Sequence, residues 1–198
     1  MSQPIAGSPR AELARLVRPP LRADARRNYE AVLAAAAAAF AADGPEASLD
    51  EIARRAGVGN ATLYRHFPNR RDLLVAVCVD DVEKLCVIGE DLRHTTDDAL
   101  ECWLHAYVDH IRTRNGLGAA FVSGDSQDSA FVATCRAAVG EVASALLDDA
   151  RQAEAIRADL DLDDLLSLAT GVAIVTESSD RDRAEHLMTL VIEGIRPR

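Results

Sequence analysis

The chain has 198 residues, 48% of them apolar, which is enough to bury one large core or two small ones. Aromatics are few, alanine is abundant, and glycine and proline are sparse away from element ends, which favours an all-α protein. The net charge of −10 is uneven: residues 1–75 carry 11 Arg against 8 Asp/Glu, whereas residues 76–198 carry 11 basic against 24 acidic groups. This disfavours tight non-specific adhesion to polyanions, but leaves room for a basic N-terminal face. Met1 to Arg10 lacks the apolar centre of a secretory leader, and no apolar run approaches a membrane span. Cys78, Cys86, Cys102 and Cys135 lack C-x-x-C spacing and read as reduced thiols of a cytoplasmic protein.

Residues 1–22 read as a flexible arm. Pro4, Pro9, Pro19 and Pro20 break regular structure, and Arg10, Arg15, Arg18 and Arg22 make it basic. It is either a minor-groove arm or a solvated tail. A helix is expected over 23–42, with Leu33, Ala36, Ala37 and Phe40 as its apolar stripe and Gly44-Pro45 as its stop.

The most informative stretch follows. Ser48 and Glu51 form an S-x-x-E capping box at the start of a two-turn helix. Ile52 and Ala56 face inward, Ala53 permits a close crossing, and Gly57 ends the helix. A second short helix starts at Gly59 or Asn60, with Asn60 the better N-cap. Its inward residues are Leu63 and Phe67, and Pro68 stops it. Two short helices with this turn make a helix-turn-helix, whose second helix enters the major groove. Outward-facing Asn60, Thr62 and Arg65, the Thr62 and Tyr64 hydroxyls, the His66 imidazole and Arg70 suit phosphate or base edges. A merely buried hairpin would leave Tyr64, Arg65, His66, Arg70 and Arg71 clustered for no reason.

Thr62-Leu63-Tyr64-Arg65-His66-Phe67-Pro68-Asn69-Arg70, preceded by Ile52-Ala53 and Ala56-Gly57-Val58, resembles the DNA-binding domain of TetR-family transcriptional regulators over roughly residues 24–83. Arg70 stands where that pattern usually has Lys, and Arg71 where an acidic residue commonly follows. The resemblance implies phosphate contacts at Ser48, Thr62, Tyr64, His66 and Arg70, and base contacts at Asn60, Ala61 and Arg65. The expected domains are the arm (1–22), a three-helix DNA-binding domain (23–69) and a helical regulatory and dimerisation domain (70–198).

A long helix is expected from Arg70 to about Glu90, followed by helices near 96–114, 117–123, 128–156, 162–176 and 181–195, about nine in all. The 128–156 helix carries an inward stripe of Phe131, Cys135, Val139, Val142 and Leu146, and Asp161 is placed to cap the next. The last two helices are apolar on most sides, so they must be covered on most sides. The resemblance implies that they dimerise as a four-helix bundle, through Leu165, Leu168, Val172, Leu187, Val191 and Ile195. The alternative is that they are central to the monomer core.

Trp103, Tyr107 and His110 share a helix face. With Cys78, Val82, Cys86, Phe121, Phe131 and Cys135 they are candidate walls of an effector pocket, whose existence rests on the resemblance. Cys102 and His105 stand at i, i+3 without a second ligand pair, so no metal or other cofactor is expected. No catalytic motif is present, and no enzyme is expected. The resulting expectation is a homodimeric regulator, most simply a repressor, of a palindromic operator, released by a small-molecule effector. The alternative is a small-molecule-binding or thiol redox-sensing protein with a vestigial DNA-binding unit.

Overall fold

In a computed structural model the described residues are 7–113, 126–177 and 179–197, the side chains of Ser126 and Gln127 excepted. Among them are nine helices and no strand: α1 (Pro9–Arg15), α2 (Ala23–Asp43), α3 (Leu49–Arg55), α4 (Asn60–His66), α5 (Arg70–Arg93), α6 (Ala99–Arg112), α7 (Ser126–Gln152), α8 (Leu162–Val175) and α9 (Arg181–Ile195). The helix expected over 117–123, with Phe121, lies outside the described residues. Two compact units emerge, Ser2–Val82 with Arg114–Cys135, and Glu83–Thr113 with Arg136–Arg198. The dividing line falls inside α5 and inside α7.

In the first unit α2 packs on α3 and α4, and α3 packs on α4. Tyr29, Val32, Leu33, Ala36, Ala39 and Phe40 form the buried face of α2, a broader stripe than the one expected. Gly44, at φ +77°, closes α2 by donating its N–H to the Phe40 carbonyl. Gly57, at φ +69°, makes the turn between α3 and α4, and the Val58 N–H reaches back to the Ala53 carbonyl at 3.1 Å. Asn69 and Asp72 cap α5 reciprocally, backbone to Asn69 Oδ1 and Asn69 Nδ2 to Asp72 Oδ2, both at 2.9 Å.

The expected irregular arm is corrected at residues 9–15, which form α1. Ser8 Oγ accepts the Ala11 N–H at 3.2 Å, and Pro9 stands in the first turn, where its missing N–H costs nothing. Leu13 is fully buried. The proline that signalled a break therefore starts a helix.

In the second unit α6 packs on α8, and α9 packs on both. Asp161 caps α8 through the Asp164 N–H at 2.7 Å, and Asp180 caps α9 through the Arg183 N–H at 3.0 Å. Arg112 stretches across to the other end of α8, donating to the carbonyls of Thr176, Ser179 and Asp180. A cation at a helix C-terminus satisfies orphan carbonyls and suits the dipole.

One helix departs from the membrane expectation. Asp128–Gln152 is long and apolar enough to span a bilayer, with a mean hydropathy of 1.5 over its most apolar stretch. Its alanines and valines raise the mean, yet Arg136 and Glu141 interrupt them at exposed positions, and Val139, Val142 and Leu146 are buried.

Trp103, completely buried, holds the second unit together. Its indole N–H donates to the Leu85 carbonyl at 3.2 Å, and its ring lies against Gly89. A Cβ at Gly89 would meet the Trp103 ring at 2.9 Å and would overlap Val142 Cγ1. Gly89→Ala is expected to destabilise the protein by about 1–3 kcal/mol, the usual cost of overpacking. A urea midpoint unchanged or raised in the variant would contradict this packing.

Candidate nucleic-acid interface

The surface begins at α3. Ser48 Oγ accepts the Glu51 N–H at 3.3 Å, as the capping box requires. The return half of the box is absent. The Glu51 carboxylate instead receives both Arg54 Nε and Nη2 at 2.7 Å and Arg55 Nε at 2.8 Å. Arg54 first, and Arg55 second, hold the Glu51 carboxyl down at about 2. The cluster lies at the surface, so it sets the direction of the two arginines more than it stabilises the fold.

On α4 the exposed residues are Asn60, Ala61, Tyr64 and Arg65. Their spacing, with partners four apart, makes one outward face. Tyr64 is 45% exposed despite its size. Leu63 and Phe67 are buried behind, as expected, and Thr62 is half-buried. Gly59, not Asn60, is the N-cap, and no side chain caps the helix. Asn60 Nδ2 instead donates to Asp50 Oδ1 on α3, at 2.7 Å. Asn60 thus cross-braces the two helices, and that donor is engaged within the protein.

Two expected phosphate ligands are placed differently. His66 packs edge-on to Tyr29, with ring centres 6.0 Å apart, and lies beside Phe67. Its Nε2 is buried without a hydrogen-bond partner. Burial, and then the neighbouring Arg65 charge, push its pKa below the ordinary histidine value. Arg70 points back into the unit. Its Nη1 donates to the carbonyls of Pro45 at 2.9 Å and Ala47 at 2.6 Å. It clamps the loop ahead of Ser48, where unsatisfied carbonyls would otherwise lie part-buried. Arg71 is likewise held, both Nε and Nη2 donating to Asp128 Oδ1 on α7. Sequence reasoning counted Arg70 and Arg71 as outward charges because it had no sight of these acceptors, which lie 23 or more residues away.

The candidate effector-pocket residues fall in both units. Cys78, Val82 and Phe131 are buried and Cys135 half-buried in the first; Cys86 and Trp103 are buried in the second. Tyr107 stacks on Trp103 at 5.3 Å and hydrogen-bonds Thr170 on α8, while His110 is half-buried. Trp103 and Tyr107 thus each also tie α6 to a neighbouring element. Among the candidate interface residues, Leu165, Val172 and Ile195 face the core of their own chain, Leu187 and Val191 are half-buried, and Leu168 is 47% exposed. Added to Leu168 are three further exposed apolar residues of these helices, Ile174, Val175 and Leu190. Helical periodicity finds an apolar surface, but not which sector the chain's own helices already cover.

Comparison with known proteins places these features in a family. Residues 32–77 match the family described as bacterial regulatory proteins, tetR family, and residues 95–197 match the transcriptional regulator SbtR-like C-terminal domain. A TetR transcription regulatory protein of known structure from Mycobacterium vanbaalenii is 33% identical, with a TM-score of 0.74, over 90% of this chain and all of that one. Over 59 residues, 30% of this chain, the sequence is 41% identical to the HTH-type transcriptional repressor LfrR of Mycolicibacterium smegmatis. Over 68 residues, 33% of the chain, it is 40% identical to the HTH-type transcriptional activator FasR of the same organism. Each match spans 31% of the relative's own length.

Two measurements check the geometry. Arg70→Ala leaves two part-buried carbonyls without their donor and is expected to cost about 1–3 kcal/mol in urea unfolding. A direct phosphate ligand would instead lower the salt slope of any DNA binding by about one with stability unchanged, and that result would return Arg70 to the surface. For His66 the depressed pKa means the unfolded chain takes the proton first. Its contribution to stability is present above the unfolded pKa and is lost as pH falls. The urea midpoint should drop more between pH 7.5 and 5.5 in the native protein than in His66→Phe; equal drops would remove the basis for a buried imidazole.

Proposed function

This chain belongs to the TetR family of bacterial regulatory proteins, and from that premise we propose that it is a homodimeric, sequence-specific DNA-binding transcriptional regulator of the cytoplasm, responsive to a small molecule. The observation that carries the reading is the outward face of α4. Ala61, Tyr64 and Arg65 are exposed together on a helix whose opposite side is anchored by Leu63 and Phe67. Tyr64 and Ser48 are the phosphate contacts, and Arg65, Ala61 and the free edge of the Asn60 amide meet base edges. Thr62 and His66 support the helix more than they touch the nucleic acid. Repression, the mode named for LfrR, is the proposed direction; FasR, of similar likeness, is named an activator.

A second copy is the proposed cover for α8 and α9. Leu168, Ile174, Val175 and Leu190 are 47%, 63%, 68% and 52% exposed, with half-buried Leu187 and Val191 beside them. Gly171 and Gly194 lie on exposed helix faces, where an added Cβ would meet nothing. A mid-helix glycine costs about 1 kcal/mol relative to alanine. That cost is offset where another helix must approach closely. Two-fold symmetry of the dimer would place two α4 helices in successive major grooves, about 34–36 Å apart, on a palindromic operator. The reading assigns no catalytic step and no cofactor.

Random-site selection with the purified protein, followed by fluorescence anisotropy on the selected duplex, tests this. A palindromic consensus is expected, and Arg65→Ala should change it more than it lowers bulk affinity. The same consensus from both proteins would contradict the base-reading role. Leu168→Glu with Leu190→Glu is expected to give a folded monomer by light scattering, with operator affinity reduced at least about tenfold. A double variant that stays dimeric would rule out this face.

A further inference from the structure

The first unit contains a cavity of about 560 Å³, within the range of small-molecule sites. Its described walls come from the N-terminal segment, α2, α4, α5 and the start of α7, so it lies wholly inside one compact unit. Tyr29, Phe67, Val75 and Phe131 supply apolar and aromatic surface. The His66 ring is also part of the wall.

The charged groups narrow the ligand. Arg71 is held by Asp128, and the Asp72 carboxylate accepts from Asn69 Nδ2. Arg18, exposed on the segment between α1 and α2, is the lining cation not committed to a carboxylate among the described residues. A cavity with an aromatic body and one open cation fits an anionic head on a short hydrocarbon body. We propose that this cavity binds a small amphipathic carboxylate. The hydrocarbon lies against Phe67, Tyr29 and Phe131, and the carboxylate meets Arg18.

The consequence rests on the DNA-binding reading above. His66 is the last residue of α4, and Phe67 follows it directly. A ligand pressed against both would act on the recognition helix from within its own unit. It needs only to prefer one placement of α4 to change DNA affinity.

Isothermal titration of the full chain with octanoate, with 1-octanol as the uncharged control, tests the site. Octanoate should bind saturably, and Ala130→Trp, which fills the cavity from an exposed wall position, should weaken it at least about tenfold. Arg18→Gln, an exposed change that leaves the core intact, should weaken octanoate at least about fivefold and leave 1-octanol within about twofold. No saturable binding, or equal octanoate affinity in Ala130→Trp and the native protein, overturns the proposal, and so does an Arg18→Gln variant with unchanged preference for octanoate. Operator binding is measured separately on the ligand-free proteins. Its absence there counts against the regulator reading and leaves the cavity result standing.

Discussion

Helix α4 is too short to exist alone. Seven residues make barely two turns, and isolated helices of that length are not stable in water. Its shape is therefore lent by what it packs against. Leu63 and Phe67 are buried, and Tyr29 on α2 lies 5.0 Å from the Phe67 ring and edge-on to His66. Aromatic contacts of this kind add to the area they bury. Asn60 to Asp50 ties the start of α4 to α3, and Arg70 ties the start of α5 to the loop before α3. The exposed face of α4 is useful because the rest of α4 has no freedom.

That anchoring directs charge. Arginines placed within a few residues of the helix are oriented by acceptors within the chain: Arg70 by two carbonyls, Arg71 by Asp128, Arg54 and Arg55 by Glu51. Arg70 keeps its charge on neutral carbonyls, and the single Glu51 carboxylate offsets only one of the two exposed guanidinium groups of Arg54 and Arg55. Arg65 is exposed on α4 itself, beside the Tyr64 hydroxyl. The acidic remainder of the chain opposes indiscriminate adhesion to a polyanion.

The second unit follows the same logic with apolar surface. Trp103 and Tyr107 bind α6 to its neighbours through one hydrogen bond each, and Arg112 closes the end of α8. The inner sectors of α8 and α9 are thereby filled, by Leu165, Ala169, Val172, Met188 and Ile192. The outer sectors, with Leu168, Val175 and Leu190, are apolar as well. A helix with two apolar sectors has two neighbours to satisfy, and among the described residues only the inner sectors are covered.

Local chemistry was legible from residue order. Ser48, Gly57, Asp161 and the apolar pairs at Leu63 and Phe67 act over three or four positions, so their caps, turn and inward faces could be read directly. The family pattern was legible for the same reason, because its motif is nearly continuous. Partner choice was not. Arg70 finds Ala47, Arg71 finds Asp128, Asn60 finds Asp50, and Trp103 finds the notch at Gly89, all across distances set by helix packing. Whether a polar side chain faces a ligand or a carbonyl, and whether a leucine faces its own core or the outside, depends on which helices lie beside it. Sequence order determined the elements and their amphipathic faces; only tertiary packing decided which groups on those faces were left to bind something else.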